Sequence, residues 1–280
     1  MTTPTMPTLG LIAGSGDFPL TVARYAKQQG YAVYAVGIAD AASPQLSSVA
    51  DEVAWVALGS VGEVCRFFRT HRVSQAILAG KITKESLLRH EAAFDAEMRA
   101  ILAAAPDRSV DSLLGGLVAR LAKEGTAVID STAFLKAWLP EPGVLTRRAP
   151  TDEEWYDIRL GQQLARTLAG SDVGQTVAVK RGVVVAVEAL EGTDHAIRRA
   201  GELGGAGAVV VKMAHPRQDW RFDVPVVGPQ TLEALAAARA TCLAVEARKT
   251  LLLELPNVVT RADALGITVV AIEPEAAHGP

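Results

Sequence analysis

The chain has 280 residues, 49% of them hydrophobic, with 28 Lys and Arg against 31 Asp and Glu and a formal charge of -3. That is enough apolar material to bury a substantial core in about two domains, and it excludes a disordered chain or the broad basic surface of a nucleic-acid binder. The two cysteines, Cys65 and Cys242, stand far apart without Cys or His spacing partners, so neither a disulfide framework nor a zinc site is expected and a reducing, cytoplasmic setting fits.

Leu9–Ala13 reads as a buried strand, Gly14–Ser15–Gly16 as a tight loop, and Pro19–Gln29 as a helix stopped by Gly30. A second strand follows over Ala32–Gly37, then helical periodicity over Val61–His71 and a short apolar strand over Gln75–Ala79 that ends at Gly80–Lys81. This βαβ order predicts a parallel, Rossmann-like sheet. Residues 84–124 read as helical, with Ser109 or Asp111 capping the second segment, before a short strand over Ala127–Ile129. Pro140, Pro142, Gly143 and Pro150 punctuate the next stretch, and Thr151 with Glu154 has the form of a capping box that opens a bridging helix to Leu168. Gln175–Val179 and Val183–Val187 flank Lys180–Gly182 as a hairpin, Thr193 caps a helix to Leu203, and Ala208–Val211 is strand-like. Thr231 begins an alanine-rich helix, and Leu243–Leu253 alternates as a strand pair turning near Ala247. The expected fold is α/β in two domains. A Rossmann-like domain covers residues 1–145, a linker and bridging helix 146–168, and a mixed α/β domain with the catalytic residues 169–280.

Gly14–Ser15–Gly16 lies between a strand and a helix, where backbone amides and the helix N-terminus favour an anion such as a nucleotide phosphate. Pro19 replaces the third glycine of a dinucleotide fingerprint and Asp40 is displaced from the end of the second strand, which argues against NAD. Gly80–Lys81 closes a strand at the carboxyl edge of the sheet, so Lys81 is a candidate contact for a diphosphate or ribose. The richest stretch is Glu188–Gly228, where Glu188, Glu191, Asp194, Asp219 and Asp223 alternate with Arg198, Arg199, Lys212, Arg217 and Arg221 between apolar runs. Such carboxylates suit a hard divalent cation, and the neighbouring cations suit phosphate oxygens. Acids between apolar strands are costly without counter-charges, so Asp194, Lys212, Asp219 and Asp223 are expected to share one site. Asp194 alone also reads as a helix-dipole partner, and His195 and His215 as surface or structural residues.

Taken in order, Ile12–Pro19, Gly80–Lys81, Asp172–Gln175, Glu188–Asp194, and Lys212 with Gln218–Pro225 resemble the LpxI family, the UDP-2,3-diacylglucosamine pyrophosphatases, over essentially the whole chain. The resemblance implies two domains joined by a linker, with lipid bound between them. It implies Mg²⁺-dependent attack of water on the α-phosphorus of UDP-2,3-diacylglucosamine, giving UMP and 2,3-diacylglucosamine 1-phosphate (lipid X) in lipid A biosynthesis. Carried onto this sequence, it implies substrate contacts from Gly14, Ser15, Gly16, Gly80, Lys81, Gln175, Thr193, Lys212 and Arg221. It also implies metal ligation among Asp194, Asp219 and Asp223, and catalytic roles for Asp219 and Asp223, of which Asp223 is the indispensable carboxylate. His215 stands where relatives commonly carry Lys before the proline and receives no role. No apolar run approaches the roughly 20 residues needed to span a bilayer, and Met1–Thr8 lacks the basic start and apolar core of a leader. An acylated substrate would bring such a chain to the cytoplasmic face of the inner membrane as a peripheral protein, and a homodimer is left open. Two other classes compete: a two-lobed nucleotide-sugar or lipid binding protein without turnover, and an NAD-dependent oxidoreductase resting on the Gly14 loop alone.

Overall fold

The computed structural model describes residues 6–82, 84–107 and 109–273. Residues 1–5 and 274–280, at the ends of the expected domains, and Arg108, inside the expected helical stretch, lie outside the described residues. The chain forms two compact units: the first comprises the residues up to Leu135 together with Asp219–Asp223, and the second comprises Lys136–Gln218 and the chain from Val224 onward.

In the first unit, β1 (Thr8–Ala13), α1 (Phe18–Gln28), β2 (Ala32–Ile38), α2 (Leu46–Val49), β3 (Glu52–Val56), α3 (Val61–Thr70) and β4 (Gln75–Ala79) follow one another. α4 (Lys84–His90), α5 (Ala96–Ala104), α6 (Val110–Lys123) and β5 (Ala127–Val128) complete it. The five strands lie in the order β3-β2-β1-β4-β5, all parallel. α3 packs on this sheet because Val61, Val64, Cys65 and Phe68 recur at helical spacing, with the polar residues turned away. Phe68 reaches the middle of the sheet because residue 10 is glycine: a Cβ there would lie 2.9 Å from its ring and 2.7 Å from Val73. The stretch expected to be helical is broken into α4, α5 and α6, each restart having its own signal. Asp95 accepts from the Met98 amide at 2.7 Å to cap α5, and Ser109, not Asp111, caps α6 through the Ser112 amide at 3.2 Å. β3 adds a strand that hydrophobic periodicity does not mark, since Glu52 and Trp55 are both exposed.

The second unit contains β6 (Gly143–Val144), α7 (Asp152–Gly170), β7 (Thr176–Lys180), β8 (Val183–Val187), α8 (Thr193–Gly204) and β9 (Val209–Lys212). Then come β10 (Val226–Val227), α9 (Pro229–Ala237), β11 (Cys242–Glu246), β12 (Leu251–Leu252), α10 (Leu255–Leu265) and β13 (Thr268–Ile272). Its six-stranded sheet has the order β6-β13-β11-β9-β7-β8, with β9, β11 and β13 parallel and β6, β7 and β8 joined by antiparallel pairing. The expected capping box is formed: the Thr151 hydroxyl accepts from the Glu154 amide at 3.2 Å, and the Glu154 carboxylate accepts from the Thr151 amide at 2.9 Å. The helix it opens does not bridge, however. α7 lies on this sheet, where Ile158 and Ala165 pack with Val177, Val179, Val209 and Val211. α8, α9 and α10 cover the opposite face through Ile197, Leu232, Leu235 and Val258. The boundary thus follows Leu135 rather than residue 145, because Gly143–Val144 pairs with β13.

Leu243–Leu253 is not a strand pair. β11 is paired with β9 and β13, while β12 pairs with β10 in a separate two-stranded sheet. The amide of Thr250 returns to the Glu246 carbonyl at 3.1 Å, turning the chain out of the large sheet, and alternation alone does not reveal which partner a strand will choose. Cys65 and Cys242 are free and buried, and burial pushes the Cys242 thiol up to about 12. Among the described residues no helix is long and apolar enough to cross a membrane.

Gly201 sets how closely α8 approaches the end of α9, since a Cβ on it would lie 2.5 Å from the Ala238 Cα and 3.0 Å from the Ala238 carbonyl oxygen. Backbone atoms cannot rotate away, so Gly201→Ala is expected to lose about 1–3 kcal/mol of stability. Urea unfolding measures this, and an unchanged midpoint would show that the two helices separate freely.

Candidate functional site

In the first sheet β1 lies between β2 and β4, and the order of strands reverses there, which makes the carboxyl ends of β1 and β4 the topological switch point. Ala13 and Ala79, the last residues of these strands, are in register. Gly14–Ser15–Gly16 leaves one and Gly80–Lys81 leaves the other. The two loops are locked together: the Ser15 amide donates to the Lys81 carbonyl and the Lys81 amide to the Ser15 carbonyl, both at 3.0 Å. The Ser15 hydroxyl adds a bond of 2.9 Å to the Lys81 carbonyl, and the Gly14 amide bonds Ala79 at 2.9 Å. The glycines follow from this contact. A Cβ on Gly14 would lie 2.8 Å from the Lys81 carbonyl oxygen, and one on Gly80, at φ +89°, would lie 2.7 Å from that of Ser15. Five expected substrate contacts therefore meet at one place. The amides of Gly14 and Ser15 serve the neighbouring strand and loop, while Gly16 and Lys81 are exposed. α1 starts just beyond, and Asp17 makes no side-chain cap there.

The first unit also holds the acidic turn Asp219–Asp223, although its sequence neighbours belong to the second. The Trp220 carbonyl accepts from the Ser131 amide at 2.8 Å and the Ser131 hydroxyl at 2.9 Å, and Phe222 packs against the first unit's apolar core. Within the turn, the Asp223 amide donates to the Asp219 carbonyl at 2.8 Å. The Arg221 guanidinium grips the Asp219 carboxylate, Nε to Oδ1 at 2.9 Å and Nη2 to Oδ2 at 2.6 Å. That hydrogen bond holds the Asp219 carboxyl below its ordinary value and raises Arg221.

In the second unit Lys212, the last residue of β9, is 5% exposed. Its Nζ donates to the hydroxyls of Thr193 at 2.9 Å and Thr176 at 3.4 Å and lies 4.0 Å from Glu188 Oε2. The Thr193 hydroxyl donates to Glu188 Oε1 at 2.9 Å, and the Gln175 amide donates to Glu188 Oε2 at 3.3 Å. Thr193 is therefore not the expected cap of α8; Gly192, at φ 83°, holds that position and leaves the hydroxyl to the buried pair. Gly174 fits here because a Cβ would lie 2.2 Å from the Glu188 carbonyl oxygen. Asp194 Oδ1 accepts from the Thr231 hydroxyl at 3.0 Å.

The residues expected to share one site are thus distributed. Asp219, Arg221 and Asp223 belong to the first unit with the glycine loops, while Gln175, Thr193, Asp194 and Lys212 belong to the second. Sequence reading did not single out Ser131 or Thr176. Thr176 has a signal only once register is known, since it pairs with Lys212 across β7 and β9. Ser131 is signalled by Asp130–Ser131–Thr132, a side-chain-stabilised turn after a strand. Among the described residues no group of three or more His, Cys, Asp or Glu is arranged to hold a metal. Two carboxylates in one turn do suit Mg²⁺, which is ordinarily held by one or two carboxylates together with phosphate oxygens and water.

Comparison with known proteins divides the chain near the same boundary, although it keeps residues 219–223 with the second half. A family model described as the LpxI N-terminal domain matches residues 8–138, and one described as the LpxI C-terminal domain matches residues 141–270. The chain belongs to the LpxI family. A Caulobacter vibrioides relative named UDP-2,3-diacylglucosamine pyrophosphatase LpxI is 29% identical over 280 residues, covering 96% of this chain and 99% of that protein. Solved structures with some likeness include a CobK precorrin-6A reductase, 16% identical over 98% of this chain and 91% of that one, at a TM-score of 0.34. The Staphylococcus aureus N5-carboxyaminoimidazole synthetase complexed with ADP is 13% identical over 62% of this chain, which spans only 32% of that enzyme, at a TM-score of 0.28. Scores so low carry no argument.

Two outcomes follow. Lys212→Met leaves Glu188 buried without its cation and is expected to lose about 3 kcal/mol in urea unfolding. Adding Glu188→Gln should recover at least half of that loss, and no recovery would mean that the charges are not coupled. The depressed Asp219 stabilises the fold fully above its unfolded value of about 3.8, and this contribution is lost as pH falls through the lower folded value. The stability gap between the native chain and Arg221→Met should therefore be full at neutral pH and close below 3.8. A gap that is independent of pH would show that Arg221 acts through packing alone.

Proposed function

We propose that the protein is a hydrolase that cleaves the diphosphate of UDP-2,3-diacylglucosamine in lipid A biosynthesis, with Mg²⁺ bound and water attacking the α-phosphorus, to give UMP and lipid X. The observation that carries this reading is the family match over both halves of the chain. The relative named for this activity supports it. The chemistry of the residues is consistent with it. Gly16 and Lys81, exposed at the switch point, bind the nucleotide side of the substrate, and Ser15, Gly14 and Gly80 keep that surface in shape.

Asp223 and Asp219 would hold the metal, with Asp223 as the catalytic carboxylate that would also orient the attacking water. When bound, Mg²⁺ supplies charge to offset the phosphoryl oxygens and lowers the pKa of water. Arg221 braces Asp219 and supplies a cation for the phosphate of departing lipid X, and within the second unit Lys212, with Thr193 and Gln175 around it, is a fixed cation available to a phosphate. Asp194 belongs to the same polar edge, tied by Thr231. The acyl chains hold the protein peripherally at the cytoplasmic face of the inner membrane.

The test is hydrolysis in ¹⁸O-water followed by phosphorus NMR, with and without Mg²⁺, for the native chain and Asp223→Ala. Label is expected in UMP, only with Mg²⁺, and turnover by Asp223→Ala should fall about 10²–10³-fold. Label in lipid X would move the attack to the other phosphorus, and native-like turnover by the variant would remove Asp223 from its role.

A further inference from the structure

The acidic turn raises a question of placement. It stands in the chain between β9 and β10 of the second unit, yet it packs in the first. Phe222 gives it an apolar anchor, but a side chain on one end of a five-residue turn leaves the backbone free to swivel. The second attachment comes from Ser131, 89 residues away and 1% exposed. Its amide and its hydroxyl converge on the single carbonyl of Trp220 at 2.8 and 2.9 Å. Two donors on one acceptor define both the position and the direction of that peptide group, which lies between Asp219 and Asp223.

Ser131 is itself aimed. Asp130 Oδ1 accepts from the Thr132 amide at 2.8 Å and the Thr132 hydroxyl at 2.7 Å, which closes a turn around Ser131 and turns its amide outward. Thr132 is fully buried. Within the acidic turn, the Phe222 amide at 3.2 Å and the Asp223 amide at 2.8 Å donate to the Asp219 carbonyl, and Arg221 grips the Asp219 carboxylate. These bonds tie the two ends of the turn to each other, and Trp220 carries a link from it to Ser131.

We infer that Ser131 is a positioning residue for the reaction: it seats the Asp219–Asp223 turn so that the carboxylate of Asp223 is presented in one orientation. The inference rests on the reading of Asp223 given above. Magnesium with few protein ligands is sensitive to such seating, because each carboxylate must meet near-ideal octahedral directions.

The test compares the native chain with Ser131→Ala, which keeps the amide donor and removes the hydroxyl, and with Thr132→Val, which preserves shape but loses the bond that aims Ser131. Two readouts are taken, the Mg²⁺ concentration for half-maximal hydrolysis and amide hydrogen exchange in the peptide covering Asp219–Asp223. Loss of one buried hydrogen bond should raise the Mg²⁺ requirement of Ser131→Ala about two- to tenfold, with a smaller rise for Thr132→Val. KM for the lipid substrate should stay unchanged, and exchange in the turn should accelerate while β1 and β9 keep native protection. Faster exchange with an unaltered Mg²⁺ requirement would make Ser131 structural only and overturn the proposal, as would native exchange in both variants. A native chain with no hydrolysis at all would instead overturn the functional reading and the positioning role with it.

Discussion

Backbone contact between the ends of β1 and β4 is the constraint on which the first unit depends. Ser15 and Lys81 exchange amide-to-carbonyl bonds as an antiparallel pair would, at the tip of two strands that run parallel. Beside this contact there is no room for a Cβ, so the residue before each partner, Gly14 and Gly80, is glycine. The switch point of a parallel sheet is usually described as a crevice between diverging loops. Here its floor is sealed by the two loops themselves. A ligand bound there, as proposed, would meet a preformed surface with Lys81 at its rim and would cost little conformational entropy in ordering it.

The second unit solves a different problem. A lysine and a glutamate are both removed from water at the end of β9, and their separation of 4.0 Å is too long for a direct hydrogen bond. Thr193 stands between them, accepting from one and donating to the other, so a hydroxyl carries the polarisation that contact would otherwise provide. Buried ions arranged in this way are an expensive means of holding a fold together, since an apolar pair of equal volume would do as well or better. They stand at the carboxyl edge of β9, beside the start of α8, where the proposed function gives Lys212 a use.

Much of this was legible in the chain. Strands β1, β2, β4, β7, β8 and β9 follow apolar runs, and the Thr151–Glu154 box and the Ser109 cap are local, with every partner within a few residues. The candidate site residues were visible as residue types, because acids and bases set between apolar runs attract notice in a sequence. What periodicity does not carry is partnership at long range. The alternation of Leu243–Leu253 is compatible with a hairpin, and only the parallel pairing of β11 with β9 and β13 excludes it. The same applies to the carboxylates. Asp219 and Asp223 lie near Lys212 in sequence, and nothing in the spacing announces that Phe222 is an apolar anchor for the other unit.

That anchoring makes sequence contiguity a poor guide to what folds together. The first unit is assembled from two stretches of chain, and the shorter is encoded far downstream of the longer. A fragment ending at Leu135 would lack the side chain of Phe222 from its apolar cluster and leave Ser131 facing no carbonyl. During synthesis, the N-terminal unit emerges first but stays unfinished until residue 223 has been made, so its last structural piece arrives together with the acids.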